Sequence, residues 1–195
     1  ISPELRTRYT GVALDKAERL EDLINEFFDI TRFNLSHIEL ERQTVDLTRM
    51  LQQVVSEFEP MLREEHLTCA LDLPDRLDCS CDPDKLVRVF DNLLRNACRY
   101  STSGTAVQIS GRREDAQAVL TFQNTGRTIP PEQLERIFQQ FFRLDSARTT
   151  RTGGAGLGLA IAREIVEAHG GSIAAQSGEN TVTFQVTLPL SPPPS

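Results

Sequence analysis

The segment 153–160, Gly-Gly-Ala-Gly-Leu-Gly-Leu-Ala, concentrates glycine just before an apolar stretch. Without side chains in the way, backbone N–H groups can approach an anion, and the start of a following helix adds partial positive charge. The segment lacks the preceding βαβ strand of a dinucleotide-binding loop and the Gly-Lys-Ser/Thr of a Walker loop. It therefore favours a lid that ends at a phosphate-contacting helix start.

A second group of polar side chains shares one face of a predicted helix: Asn92, Asn96, Arg99 and Tyr100. The amide oxygen of Asn96 suits magnesium, which prefers hard oxygen ligands and takes others from phosphates and water. Arg99 could offset phosphate charge, and Tyr100 could lie against a base. Taken alone, an ordinary amphipathic helix with a polar outer face explains these residues equally well.

Two further segments carry candidate contacts. Asn124 precedes Gly126 directly after a predicted strand, where a short polar side chain can bond a purine edge and glycine lets the base come close. Arg143 follows the phenylalanine-rich segment 138–142 and is a candidate phosphate contact. A plain turn and ordinary core or lid packing remain alternatives for these two segments.

The elements that must position these residues can be read from the spacing of apolar residues. Helical spacing predicts helices over 8–34, 47–63, 83–100, 131–138 and 157–169. Asp82 and Pro83 form a typical helix start, Gly170 a C-cap, and Pro60 is a possible kink. Alternation predicts strands over 67–73, 77–81, 106–112, 118–124, 172–177 and 181–188, with 34–46 as a polar joint.

This order predicts an α/β two-layer sandwich, a mixed and mostly antiparallel sheet with helices on one face. A lone helix with coiled-coil-like spacing precedes it and cannot bury its apolar stripe by itself. We expect residues 1–43 to be a partial dimerisation segment and linker, 44–190 the main domain, and 191–195 a disordered tail.

Composition restricts the kinds of partner and ligand that this chain is expected to bind. A net charge of −7 argues against nucleic acid, because binding its phosphates requires a basic face. The four cysteines, Cys69, Cys79, Cys81 and Cys98, lack metal-ligand spacing and are expected to be reduced thiols. No apolar run approaches the roughly 20 residues needed to span a bilayer.

The order and spacing of these segments resemble the sensor histidine kinases over residues 14–190. The segment 92–97 looks like their N box, 124–126 like the first glycine box, 138–142 like the F box and 154–158 like the second glycine box. Residues 14–34 and 138–171 are most similar to the vancomycin-resistance sensor kinases. One departure is Asn124, where the family usually has Asp.

The resemblance implies a Bergerat-type ATP site in which Asn96 holds Mg²⁺, Tyr100 packs on adenine, and Arg99 and Arg143 approach the phosphates. Asn96 and Arg143 are the expected catalytic residues, with a lid over about 142–153. The expected nucleotide contacts are Asn92, Asn96, Arg99, Tyr100, Asn124, Gly126, Ile129, Phe138, Arg143, Gly154, Gly156, Leu157 and Gly158. Compared with the Asp that is usual in the family, Asn124 keeps an acceptor for the adenine amino group but lacks the negative charge.

The amino terminus offers an apparent phosphoacceptor box, residues 2–7, with Pro3 in the place of histidine. Only about ten residues separate it from segment 16–20, too few for a helix and a turn at about 1.5 Å per residue. Residues 14–34 therefore match the second dimerisation helix. None of His37, His66 and His169 has the expected acceptor context, so we expect the acceptor histidine to be absent from this chain.

For the intact protein the resemblance implies autophosphorylation of a histidine, transfer to a response-regulator aspartate, and a homodimer formed by the dimerisation helices. It also implies a cytoplasmic portion of a membrane-anchored protein, with a cell-wall antibiotic (glycopeptide) signal. Two alternatives remain: another ATPase of the same fold, and a non-catalytic dimer scaffold with a degenerate ATP site.

Overall fold

A computed structural model of the chain describes residues 2, 5–6, 9–13, 16–17, 39–144 and 156–191. Within 39–144 and 156–191 there are three α-helices: α1 (Leu47–Glu64), α2 (Pro83–Tyr100) and α3 (Gly158–Ala168). The seven strands are β1 (Gln43–Asp46), β2 (Thr68–Asp72), β3 (Asp78–Cys81), β4 (Ala106–Glu114), β5 (Gln117–Thr125), β6 (Ser172–Gly178) and β7 (Thr181–Pro189).

The main sheet has five strands in the order β2-β4-β5-β7-β6. β2 runs parallel to β4, and the other neighbouring pairs are antiparallel. β6 and β7 form a hairpin whose two turn residues, Glu179 and Asn180, both have positive φ angles. The predicted mixed, mostly antiparallel sheet is therefore confirmed.

One face of this sheet is buried and the other is polar. Along β5, Ala118, Leu120 and Phe122 are at most 2% exposed, and they belong to one apolar core with side chains from all three helices. On the opposite face, Gln108 of β4 and Gln185 of β7 are exposed. This alternation is the pattern of a sheet covered by helices on one side, and it confirms the two-layer class.

α1 begins at an N-cap that also anchors a neighbouring turn. Asp46 Oδ1 accepts hydrogen bonds from the backbone N–H groups of Thr48 and Leu77, both at 3.1 Å. Pro60 lies inside α1 without ending it. The predicted helices over 47–63, 83–100 and 157–169 are thus all observed, with bounds shifted by a residue or so.

The polar joint predicted over 34–46 is corrected at its end, because residues 43–46 form strand β1. β1 pairs antiparallel with β3 in a separate two-stranded sheet, with Val45 opposite Cys79. Four residues, Gln-Thr-Val-Asp, are too few to show alternation, and the partner strand lies more than 30 residues along the chain. The pairing is decided by tertiary contact.

The helix predicted over 131–138 is also corrected: the chain forms two single 3₁₀ turns, Pro131–Gln133 and Arg136–Phe138. A 3₁₀ helix has about three residues per turn and commonly occurs as a short connecting piece of three or four residues. Ile137 and Phe138 are still buried, as the apolar pattern predicts.

Much of the amino-terminal prediction lies outside the described residues. Residues 9–13 and 16–17 are helical, as predicted, while the remainder of the helix over 8–34, the lid residues 145–155 and the tail 192–195 are not described. Among the helices that are described, none is both long enough and apolar enough to cross a membrane.

Candidate functional site

α2 carries four of the candidate residues because its two faces have opposite character. Asp82 caps the helix by accepting from the backbone N–H of Lys85 at 3.1 Å, and Pro83 occupies the first turn. The inner face packs Phe90, Leu93 and Leu94 into the core. The outer face holds Asn92 and Asn96 half-buried and Arg99 and Tyr100 exposed, Tyr100 at 45%. The predicted shared face is observed.

Asn124 lies near the end of β5, on the core side of the sheet. It follows Ala118, Leu120 and Phe122 at spacings of two, so its side chain points to the same buried face. Asn124 is only 3% exposed, and its Nδ2 has no hydrogen-bond partner. An amide therefore stands where the strand pattern predicts an apolar residue.

Gly126 lets the end of β5 approach the end of α2. A Cβ atom at Gly126 would overlap the carbonyl oxygen of Tyr100 and lie 3.3 Å from Asn124 Nδ2. The backbone N–H of Thr102 donates to the Thr125 carbonyl at 2.7 Å, and Gly126 N–H donates to the Asn180 carbonyl at the same distance. These contacts bring Asn124 and Tyr100, which are distant in sequence, to one place.

The start of α3 packs against the middle of α2. A Cβ atom at Gly158, the first residue of α3, would lie 3.0 Å from Asn92 Oδ1. Asn92 Nδ2 is buried and has no hydrogen-bond partner. The absence of a side chain at Gly158 thus allows the helix start and the Asn92 amide to be in contact.

Two predicted nucleotide contacts, Ile129 and Phe138, are both 5% exposed and belong to the apolar core. The backbone N–H of Ile129 donates to Ser177 Oγ at 2.9 Å, which fixes the segment after Gly126 to β6. Phe138 meets Phe184 of β7 edge-on, with ring centroids 6.3 Å apart. Both predicted contacts are therefore core residues in this structure.

The two ends of the predicted lid lie side by side. The backbone N–H of Phe141 donates to the Gly156 carbonyl at 3.0 Å, and a Cβ at Gly156 would lie 2.8 Å from the Phe142 carbonyl oxygen. Gly156 also has a φ of +79°, which favours glycine. The loop that leaves at Phe142 therefore returns at the start of α3, next to Asn92.

Arg143 and Leu157 lie on the two sides of this loop. Arg143 is exposed where the loop leaves, and Leu157 is 2% exposed directly before α3. Gly154, also a predicted contact, lies outside the described residues. Within the described ranges, the end of β5 lies against the end of α2 and the start of α3 lies against Asn92, so candidates from β5 and α3 both adjoin α2.

Behind the start of α2, the structure contains a buried polar cluster that sequence reasoning missed. His169, 1% exposed, accepts from the backbone N–H of Asp82 through Nε2 at 3.0 Å, and its Nδ1 lies 2.7 Å from the Ile165 carbonyl. Arg42 donates to the carbonyls of Ser80 and His169. The cluster joins the segment before β1 to both α2 and α3.

The charge state of His169 differs from what its sequence position suggests. A histidine at a helix C-terminus favours the cation, but burial lowers the pKa of His169, and the bond it accepts from Asp82 N–H requires the neutral ring. Burial works to raise the pKa of Asp82, yet the N–H donors of Lys85 and Glu41 outweigh it and the pKa lies below its usual value. The cluster thus pairs a neutral imidazole with a carboxylate.

Among the residues that the structure describes, no three His, Cys, Asp or Glu side chains group so that they could hold a metal ion. A metal near Asn96 would have to take most of its ligands from a bound molecule and from water. Magnesium commonly binds in this way, and the half-buried amide of Asn96 is a suitable oxygen donor.

Comparison with known proteins identifies the family of this chain. The family described as Histidine kinase-, DNA gyrase B-, and HSP90-like ATPase matches residues 81–192. Sensor protein VanS of Enterococcus faecium is 47% identical over 187 residues, which is 96% of this chain and 48% of VanS. The chain therefore spans about half the length of that relative.

Two solved structures share the fold over nearly the whole chain. Full-length ShkA in complex with AMPPNP superposes with a TM-score of 0.84 at 25% identity, covering 100% of this chain and 41% of ShkA. Histidine kinase ThkA in complex with the response regulator protein TrrA gives a TM-score of 0.79 at 25% identity, covering 98% of this chain and 53% of ThkA. The chain belongs to the histidine kinase-, DNA gyrase B- and HSP90-like ATPase family, as an ATP-binding catalytic domain of the sensor histidine kinase type.

Proposed function

We propose that this domain binds Mg-ATP in the cleft between α2, the end of β5 and the start of α3. In the whole protein it would transfer the γ-phosphoryl group to a histidine on a dimeric helical hairpin. A response-regulator aspartate would then receive the phosphoryl group. Residues 44–190 form the catalytic domain in this proposal, 1–43 contribute a dimerisation segment and linker, and 191–195 are a tail.

The observation that carries this proposal is a pair of unsatisfied amides. Asn92 Nδ2 and Asn124 Nδ2 are the two buried side-chain polar atoms without a partner in the described part of the chain. Buried polar groups are almost always hydrogen-bonded, and leaving one unpaired costs about 1–3 kcal/mol. Both unpaired amides belong to the proposed site, Asn92 against Gly158 and Asn124 against Gly126, so a polar ligand there would satisfy groups that the fold leaves unsatisfied.

The neighbouring side chains suit a nucleoside triphosphate. Asn96 would hold magnesium, and Arg99 and Arg143 would approach the phosphates at opposite sides of the cleft. Tyr100, which is 45% exposed at the end of α2, would cover the base near Asn124. Magnesium supplies charge neutralisation on the phosphates, and the protein residues supply position, the two main contributions to phosphoryl transfer.

We infer that none of the three histidines accepts the phosphoryl group. His169 is 1% exposed and both of its ring nitrogens have backbone partners. His66 is exposed in a tight turn with a φ of +57°, and His37 lies outside the described residues. After incubation with labelled ATP this chain should remain unlabelled; label at His37 would contradict the inference.

The similarity to VanS supports a role in glycopeptide resistance, on the cytoplasmic side of a membrane-anchored protein. The ThkA structure, which contains the response regulator protein TrrA, supports a receiver domain as partner. Both assignments concern the whole protein, and both are part of the proposal.

Isothermal titration of the chain with ADP, with magnesium and with EDTA, tests the proposal. Binding should require magnesium, and Asn96→Ala, which removes the oxygen donor, should weaken it at least about tenfold, the scale of one contact to a charged group. Gln52→Ala, which removes an exposed amide on α1, is the matched control and should leave binding unchanged. A chain that binds no nucleotide at millimolar concentration would favour a scaffold with a degenerate site.

A further inference from the structure

The Asn124 amide is unusual for a buried side chain, because its nitrogen has no hydrogen-bond partner. It lies on the core face of β5, where its three predecessors at spacings of two are apolar, and it is 3% exposed. Its backbone is fixed, because β5 pairs with β7 at this level and places Asn124 opposite Val182. Its Nδ2 has no acceptor within the described structure, so no hydrogen bond made by that nitrogen opposes rotation of the amide.

An amide that can turn over presents two different edges. Its oxygen accepts a hydrogen bond, its nitrogen donates, and a rotation of about 180° exchanges the two positions. An ionised aspartate at this position would have two acceptors and no donor. Asn124 can therefore offer a donor that a carboxylate cannot.

Purines also differ in whether the group at position 6 donates or accepts a hydrogen bond. Adenine carries an amino group that donates, whereas guanine and hypoxanthine carry an oxygen that accepts. Gly126 packs directly beside this amide, because a Cβ at Gly126 would lie 3.3 Å from Nδ2 and would overlap the Tyr100 carbonyl oxygen. In the proposed nucleotide site, a base held between Asn124 and Tyr100 would meet the Asn124 amide with its 6-position.

We propose that Asn124 makes this site tolerant at the purine 6-position, so that it accepts 6-oxopurine nucleotides as well as 6-aminopurine nucleotides. Asn124 receives a hydrogen bond from the 6-amino group in one orientation and donates to the 6-oxygen in the other. The inference rests on the proposed nucleotide site and adds which bases it takes.

The size of the effect follows from the cost of an unpaired buried polar group. When a carboxylate faces a 6-oxygen, two acceptors meet and neither is satisfied. That cost corresponds to about a 5-fold to 140-fold loss of affinity. Only the 6-oxo nucleotide loses affinity, because the carboxylate still accepts a hydrogen bond from the 6-amino group.

The experiment compares Mg-ADP with Mg-IDP by isothermal titration at pH 8, for wild type and for Asn124→Asp. IDP is the decisive probe because it differs from ADP at position 6 and N1 and lacks the 2-amino group of guanine. The Kd values of wild type for ADP and IDP should differ by less than about tenfold, which is the contribution of a single neutral hydrogen bond. Asn124→Asp should raise the IDP-to-ADP ratio of Kd values by about 5-fold to 140-fold.

Asn180→Asp is the matched control, because it adds the same charge at an exposed turn residue whose carbonyl contacts Gly126. Its Kd ratio should equal that of wild type. A wild-type ratio above about tenfold, or a ratio that Asn124→Asp does not change, overturns the inference while leaving ATP binding intact. If neither ADP nor IDP binds, the proposed function itself fails. The wild-type ratio alone decides the question if Asn124→Asp does not fold.

Discussion

Replacing His169 with phenylalanine keeps a buried aromatic ring and removes the acceptor for the Asp82 backbone N–H. That N–H lies 3.0 Å from Nε2 in a ring that is 1% exposed, so no water can replace the lost acceptor. An unpaired buried donor costs about 1–3 kcal/mol, and we expect His169→Phe to lower the free energy of unfolding by that amount at pH 7.5.

The same contact makes stability depend on pH. Burial lowers the pKa of folded His169 below its usual value near 6.5, so below pH 6.5 the unfolded chain binds the proton more readily than the folded one. This contribution to stability is present above pH 6.5 and is lost as the pH falls. By pH 5.5 the loss in wild type reaches at most about 1.4 kcal/mol.

Urea unfolding at pH 7.5, 6.5 and 5.5 measures both effects. The difference between wild type and His169→Phe should shrink toward pH 5.5, because the variant has no imidazole to protonate. His66→Asn, which removes an exposed histidine, is the control and should follow wild type. A difference that stays constant over this pH range would refute the account of a neutral, buried His169.

Other contacts give further predictions. Gly126→Ala should destabilise the fold by about 1–3 kcal/mol in urea unfolding, because the new Cβ overlaps the Tyr100 carbonyl; unchanged stability would contradict this contact. Gly158→Ala should hardly affect stability, since alanine favours helix, but titration should show several-fold weaker ADP binding because the Cβ presses on Asn92 at 3.0 Å. Equal affinity would place Asn92 outside the nucleotide site. Arg42→Met should cost about 1–2 kcal/mol in thermal unfolding by removing two bonds to backbone carbonyls, and an unchanged Tm would show that the cluster does not hold the segment before β1.

Local patterns in the sequence predicted most elements of the fold. The 3.6-residue spacing of apolar residues predicted α1, α2 and α3, and alternation predicted six of the seven described strands. Asp82 and Pro83 marked the start of α2 because a cap and a fixed φ act within a few residues. The order of the candidate segments was sufficient to indicate the family, which the match to residues 81–192 confirms.

Elements whose stability comes from distant contacts were missed or misread. β1 exists because β3 pairs with it, and its own four residues carry no pattern. Over 131–138 the apolar pattern predicted one helix, but the chain forms two separate 3₁₀ turns, Pro131–Gln133 and Arg136–Phe138. His169 is neutral because burial outweighs its favourable position at a helix end.

The sequence by itself determined the residue types and the helix and strand that carry them: an amide on α2, an amide at the end of β5, and glycines before α3. Only the tertiary structure decided that these are neighbours, through Gly126 against Tyr100 and Gly158 against Asn92. It also showed that Asn92 Nδ2 and Asn124 Nδ2 are buried without partners. The physical reason is that spacing along a chain fixes which face a residue occupies, while hydrogen-bond satisfaction depends on atoms that approach from elsewhere in the fold.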